Sequence, residues 1–391
     1  MHAPLRPSFQ AEWRGLATLQ PLDAEWRALA ARAVEPNVFY EPAFALAAAP
    51  VFGVDAGAVL VRDAGGRLAG LFPARIERWR GGWSSIVGWT HPFAPLGTPL
   101  VDRDQPEAVI AAWLGHLGRD PAMPAQLLLQ LVPERGAFAE ALDAVLARDG
   151  RRTLAFARHE RALLAPGAER PGYLGRAISA RKRKKLRQQR RRLEDMAPLT
   201  LATATGPAGV EAALKDFLVL EASGWKGIAG TAIVNDPAVK NFVQSAVLAL
   251  AAGGQVRIDR LLFNGMAIAA SMTLASGDTA WCWKIAYNEG LSRSSPGVQL
   301  TCSLTESLLA AAQPLRVDSC AIAPHPMIDH IWRERLALND RLIALRPAAV
   351  PFALACRIEA LRRSAIASAK AVRERLRRRR SPLNNRPQRS V

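Results

Sequence analysis

Only four cysteines occur among 391 residues, and they stand far apart, at 282, 302, 320 and 356. No CxxC pair is present and no cysteine has a histidine at metal-ligand spacing, which argues against a zinc or CxxC redox site. The four read as reduced core residues. Histidine is also scarce, with six in the chain. His325 and His330 sit five residues apart, a spacing that does not place two ligands on one helix face, so no metal is expected. No stretch approaches the ~18 consecutive apolar residues of a membrane span. Pro347 to Cys356 is too short to be one. The opening MHAPLRPSFQAEWRGL lacks the apolar segment and small-residue cleavage site of a secretory leader. The expectation is a cytoplasmic protein whose contact with a membrane would be peripheral, at the inner face.

Acidic residues are outnumbered, 34 against 52 Lys and Arg, for a formal charge of +18. That excess is local. Arg176 to Arg192 carries ten basic residues and no acid, and Lys370 to Val391 carries nine basic residues with Glu374 alone opposing them, so these two segments hold the whole surplus. The first has helical propensity throughout, with a thin stripe at Leu186 and Leu193. It forms an electrostatic footprint for phosphate-bearing partners, nucleic acid included, but no RNA-binding signature accompanies it. Steering an anionic ligand is the simpler reading. In the tail, Ile358, Leu361, Ala365, Ala369, Val372 and Leu376 recur every three or four residues opposite arginines. This pattern predicts a basic amphipathic helix suited to an anionic membrane surface.

What the sequence does offer lies between Gln255 and Cys320. Gln255–Phe263 and Met266–Ala275 read as strands joined by Asn264-Gly265, a strong hairpin signal. Trp281–Tyr287 is a third strand, with Trp281, Trp283, Ile285 and Tyr287 alternating against Cys282, Lys284 and Ala286. A Ser/Arg/Gly loop follows, then a helix with Ser295 as N-cap and Pro296 at its first position. Leu315–Cys320 is a further strand. A helix opening Ser-Pro-Gly presents unpaired N–H groups to an anion, and Gly297 admits close approach. Arg293 stands near enough to join them, and phosphate is the natural candidate.

These residues resemble the GNAT acyltransferases, and within them the cellulose-biosynthesis (CelD/BcsL-type) acetyltransferase branch. The matching pieces are RRRLE (190–194), LEASGWKG (220–227), the Asn264-Gly265 hairpin, KIAYNEGLSRSSPG (284–297) and DSCAIAPHPMIDHIW (318–332). Together they span about Ala177 to Leu345. The usual phosphate loop of that superfamily, Gln/Arg-x-x-Gly-x-Gly/Ala, is echoed here only by Arg293 and Gly297. The resemblance implies that acetyl-CoA, or another acyl-CoA, serves as co-substrate along Trp281–Tyr287. Lys284, Arg293, Ser294, Ser295, Pro296 and Gly297 would then bind it. It implies direct acyl transfer to an amine or hydroxyl on a small or saccharide-linked acceptor, with exopolysaccharide or cellulose metabolism as the setting. Fem-type aminoacyltransferases, which draw on charged tRNA, are the enzyme alternative; a non-catalytic binding protein on the same fold is the other.

The first 165 residues repeat the order of elements: a strand pair (57–62, 67–76), a third run at 84–89, a Pro/Gly-rich loop, a helix near 106–117 and a strand at 126–132. No Lys or Arg lies between Trp89 and Asp102 to meet a phosphate. The expected architecture is α/β (α+β): two tandem GNAT-like domains, each a mixed, largely antiparallel sheet flanked by helices. They are a degenerate domain at 1–165 and a catalytic domain at 166–346, followed by a basic tail at 347–391.

For the chemistry, Glu221, Asp318 and His325 are alternative general bases. Glu221 leaves a helix toward a Gly-rich loop, Asp318 sits inside an apolar strand where a lone carboxylate is costly, and His325 lies between prolines. Tyr287 is a candidate acid for the leaving thiolate. Trp225 and Lys226 supply an aromatic face and a cation to clamp acceptor or pantetheine. Lys284, expected on the face opposite Trp283, is placed to meet a substrate carboxylate or Asp318.

Overall fold

The predicted strands form and join in a single sheet. The computed structural model describes residues 9–78, 83–348 and 350–380. The strands are β1 (Gln10–Gly15), β2 (Ala56–Arg62), β3 (Leu68–Arg78), β4 (Ser84–Gly88), β5 (Leu100–Val101), β6 (Gln126–Pro133) and β7 (Thr153–Leu164). They continue with β8 (Leu199–Ala204), β9 (Val256–Phe263), β10 (Met266–Ser276), β11 (Thr279–Tyr287), β12 (Arg316–Asp318) and β13 (Glu334–Ala344). Helices are α1 (Asp23–Ala31), α2 (Pro42–Phe52), α3 (Pro106–Arg119), α4 (Ala137–Arg148), α5 (Tyr173–Ala177) and α6 (Ala180–Glu194). The rest are α7 (Pro207–Ser223), α8 (Trp225–Ile228), α9 (Pro237–Ala252), α10 (Pro296–Ala310) and α11 (Phe352–Arg380).

Two halves repeat one plan. β1-β2-β3-β4 run antiparallel and β4 then lies parallel to β6; β8-β9-β10-β11 run antiparallel and β11 then lies parallel to β12. The Asn264-Gly265 hairpin has φ of +49° and +78°, the backbone a tight two-residue connection demands. Where the halves meet, they exchange their last strands. The sheet order is β6-β13-β7-β12, so β13 pairs with β6 of the first half while β7 pairs with β12 of the second. A boundary at 165 therefore divides the chain but not the sheet. Contiguous-segment reading assigns each strand to its sequence neighbours, whereas partner choice here is nonlocal.

On one sheet face, α2 and α9 pack together and a single apolar core runs through both halves, from Trp26, Phe39 and Phe44 to Phe217, Phe242, Trp281 and Trp283. Phe44 makes edge contacts with Phe39, Phe242 and Trp283 at 5.3, 5.3 and 5.5 Å. The opposite face is covered by α3 and α4 in the first half and by α10 in the second. α11 docks through Phe352, Ala355 and Cys356, and through Arg363, which pairs with Asp340 at 2.8 Å. Its Leu361 and Val372 are exposed, so the predicted apolar stripe is not buried on the domain at these two positions. Residues 381–391 of the predicted basic tail lie outside the described residues.

Candidate functional site

β11 and β12 pair only at Thr279–Trp281 with Arg316–Asp318. Past Trp281 they part, and the β12-facing edge of β11 has no strand partner among the described residues through Tyr287. Unpaired strand edges hold extended ligands by main-chain hydrogen bonds. The corresponding wedge of the first half, between β4 and β6, is filled by its own chain: Gly97 N–H donates to Leu131 O at 3.1 Å. An ideal Cβ on Gly97 would lie 2.0 Å from the Gln130 carbonyl oxygen, so only glycine fits this plug.

A β-bulge interrupts β11. Thr273 faces Cys282 but Met272 faces Lys284, leaving Trp283 as the extra residue. The bulge shifts the alternation, and Lys284 comes to the same side as Trp283 rather than the opposite one expected from period two. Its ammonium lies 4.0 Å from the centroid of Phe93 and 5.7 Å from that of Trp283. Phe93 belongs to the loop that plugs the first half, and its carbonyl accepts from Trp283 Nε1 at 2.8 Å. Burial, with Lys226 adding like charge, pushes the Lys284 ammonium down to about 8. No carboxylate comes within ion-pair distance of it among the described residues.

Toward the open end, a cavity of about 40 Å³ is lined by Glu221, Trp225, Lys226, Ile285, Tyr287 and Glu289 among others. Four of the sequence-predicted residues thus converge. Glu221 is buried: Oε1 pairs with Lys226 Nζ at 2.6 Å and Oε2 accepts from Ile233 N–H at 2.9 Å. Trp225 is exposed, and its N–H donates to Glu289 Oε1 at 3.0 Å, fixing the turn from α7 into α8. Gly227 must be glycine, because a Cβ would sit 1.7 Å from the Ala222 carbonyl oxygen.

The predicted anion loop is a 3₁₀ helix, Glu289–Ser294, capped by the Asn288 side chain. Ser295 does not cap α10 with its side chain. It takes φ +52° to turn the chain from one helix into the next, and Gln189 of α6 donates to Arg293 O and, at 3.4 Å, to Ser295 Oγ. Pro296 opens α10 as expected. Gly297 and Val298 head a helix whose first N–H groups lack intrahelical acceptors. The space before Gly297 is taken by Tyr287, whose Cδ1 would be 2.9 Å from an added Cβ. Tyr287 therefore stands at the α10 end of the open edge, about 10 Å along the strand from Lys284.

The structure separates two other candidates from this group. Asp318 is 2% exposed, ion-paired with Arg161 of β7, and its Oδ1 accepts from Cys320 N–H at 2.9 Å. Both oxygens are engaged in a pair that ties the exchanged strand β7 to β12. His325 caps a turn: its Nδ1 accepts from Ile328 N–H at 3.2 Å and Met327 N–H at 3.3 Å, while its own N–H donates to Asp329. That use of the lone pair leaves it a positioning role in the loop. Among the described residues no cluster of three or more His, Cys, Asp or Glu could hold a metal.

The chemistry present fits a CoA thioester. An open strand edge suits the two amides of pantetheine, and helix-start amides beside Arg293 and α6 suit its phosphates. Residues 180–319 match the acetyltransferase (GNAT) domain family, beginning at the first residue of α6 and ending just past β12. This segment is similar to GNAT acetyltransferase domains. Solved structures share the wider fold. FemX matches with a TM-score of 0.54 at 8% identity, over 82% of this chain and 95% of its own. The C-terminal domain of a putative lysylphosphatidylglycerol synthetase from Agrobacterium fabrum gives 0.52 at 11%, over 82% and 90%. A conserved protein of unknown function from Bacteroides thetaiotaomicron gives 0.52 at 12%, over 85% and 99%. At such identities the likeness is one of fold. No curated protein matches the sequence.

Sequence reasoning missed Phe93, Gln189 and Arg161. Phe93 and Arg161 act across the two halves, and Gln189 reaches from α6 to a loop more than 100 residues on, so no local pattern marks them. The bulge has no reliable sequence signal either.

Proposed function

We propose that the protein is an acyl-CoA-dependent N-acyltransferase, with acetyl-CoA the simplest donor and an amine the acceptor. The observation that carries this is the parting of β11 from β12 beyond Trp281, with the start of α10 at its far end. The pantetheine lies along β11, its phosphates at Arg293–Gly297 beneath α6 and its thioester near the bulge. The acceptor enters from the α7–α8 side, where Trp225 is exposed. Its nitrogen attacks the thioester carbonyl, the C–S bond breaks, and the thiolate leaves. Glu221, held by Lys226, retains a lone pair on each oxygen and takes the proton. Calorimetric binding of CoA and release of free thiol from acetyl-CoA with an amine test the reading; a folded protein that binds no CoA refutes it.

The ten charges of α6 and its flank at the phosphate end favour a second donor, charged tRNA, a reading to which the FemX-like fold lends support. Transfer that is abolished by ribonuclease and indifferent to CoA would select it. A saccharide-linked acceptor in exopolysaccharide metabolism rests on the sequence resemblance. The exposed Leu361 and Val372 of α11, among many arginines, support peripheral attachment to an anionic membrane. Loss of sedimentation with phosphatidylglycerol vesicles on removing Lys370 to Val391 checks it.

A further inference from the structure

We propose that Lys284 is itself an acyl acceptor, so that the protein acylates its own cleft once per chain. This rests on the acyl-CoA reading above. The bulge at Trp283 turns the Lys284 side chain out of strand alternation and toward the side where Glu221 and Lys226 stand, the side assigned to the acceptor. Its ammonium lies against the Phe93 ring, with Trp283 farther off, and Trp283 is in turn fixed by its bond to the Phe93 carbonyl. An ammonium that is buried beside a second lysine, with no carboxylate in ion-pair contact, loses its proton more readily than one in water.

The consequence is a nucleophile in place. With its ammonium pushed down to about 8, roughly a quarter of Lys284 is neutral near pH 7.5, against roughly 0.1% of an ordinary lysine. The neutral amine attacks the thioester carbonyl carbon. A C–N bond forms and the C–S bond breaks. CoA leaves as thiolate and takes up the proton that the nitrogen sheds, giving an amide on Lys284 and free CoA with no further reactant. Acylation removes the cation from the cleft and places an acyl group against Phe93.

The experiment is incubation of the full-length protein with acetyl-CoA near neutral pH, followed by intact mass and peptide mapping, with CoA binding measured in parallel by calorimetry. The expected result is one acetyl group per chain at Lys284, forming at least ten times faster than on Lys182, Lys184 or Lys185 of α6. It should be absent in Lys284→Arg and suppressed by excess CoA. The rate should climb with pH, reach half its maximum at about 8 and level off roughly one unit higher, since only the neutral amine reacts. CoA binding with Lys284 unmodified, or modified no faster than the α6 lysines, overturns the proposal while leaving the donor reading intact. Absence of CoA binding removes the donor reading and this proposal with it.

Discussion

The Arg161–Asp318 pair gives the sharpest test of what holds the two halves together. Both side chains are about 97% buried, and the guanidinium otherwise has only the Pro95 carbonyl, at 2.8 Å, with its Nε unpaired. Asp318→Asn keeps the shape and removes the charge, leaving a buried guanidinium uncompensated. Breaking a buried pair in this way costs about 3–5 kcal/mol. Unfolding entropy of about 2.1 cal/mol/K per residue gives about 0.8 kcal/mol/K for a chain of this length, so Tm should fall by about 4–6 °C. That conversion holds if the chain melts as one unit, which a continuous sheet with an exchanged strand pair favours. Replacing both partners, Arg161→Met with Asp318→Leu, should recover most of the loss, because an apolar pair of similar volume is neutral or better. Scanning calorimetry measures the first effect and acyl transfer per folded molecule the second. A variant that melts like the parent but turns over about 100-fold slower would refute the structural reading and return Asp318 to the role of base.

Four other outcomes follow from the geometry. Glu221→Gln should leave CoA affinity unchanged and lower turnover by about 100- to 10,000-fold in a steady-state thiol-release assay. Gly297→Glu should abolish CoA binding by calorimetry, since the new side chain both displaces Tyr287 and adds a like charge at the phosphate end. Gly97→Ala should destabilise by at least about 1–3 kcal/mol in urea titration, because the Cβ meets backbone that cannot yield. His91, stacked 4.3 Å from Phe52 with Nε2 buried and unpaired, has its imidazole pushed down to about 3 by burial, with Lys284 and Arg75 adding to it. Its stability contribution is therefore present above about pH 6.5 and lost as pH falls toward 3, and His91→Phe should flatten the acid side of the stability profile measured by denaturant titration.

The second half was legible because its signals are local. Asn264-Gly265 needs nothing beyond its own backbone to make a hairpin, and Pro296 suits the first turn of a helix, where its missing N–H costs nothing. Glu221, Trp225, Lys226 and Tyr287 converge because the α7–α8 turn folds back on the end of β11, and three of the four lie within six residues of one another. Asp318 and His325 carried chemistry by type but not by placement. A carboxylate inside an apolar strand satisfies the same sequence pattern whether it awaits a proton or an arginine, and Arg161 is 157 residues away. Ser295 misled for a different reason. An N-cap signal assumes an extended approach, and here a 3₁₀ helix runs straight into α10, so the residue between them must reverse the chain.

The first half supplies part of the wall of the cleft in the second. Its loop satisfies the wedge between β4 and β6 with its own main chain at Gly97, which closes that wedge to any ligand. Four residues earlier the same loop delivers Phe93 to Lys284 and a carbonyl to Trp283. Filling one cleft is thus what anchors a wall of the second. Because α2 and α9 bury a common core and the halves exchange β7 and β13, that wall is fixed by the most cooperative part of the molecule rather than by a loose domain contact. A copy that had merely lost its site would be free to drift in sequence at this loop; a copy that positions Lys284 is constrained there. The absence of Lys and Arg between Trp89 and Asp102 fits the second case, since any cation beside Phe93 would repel the ammonium that the bulge turns toward it.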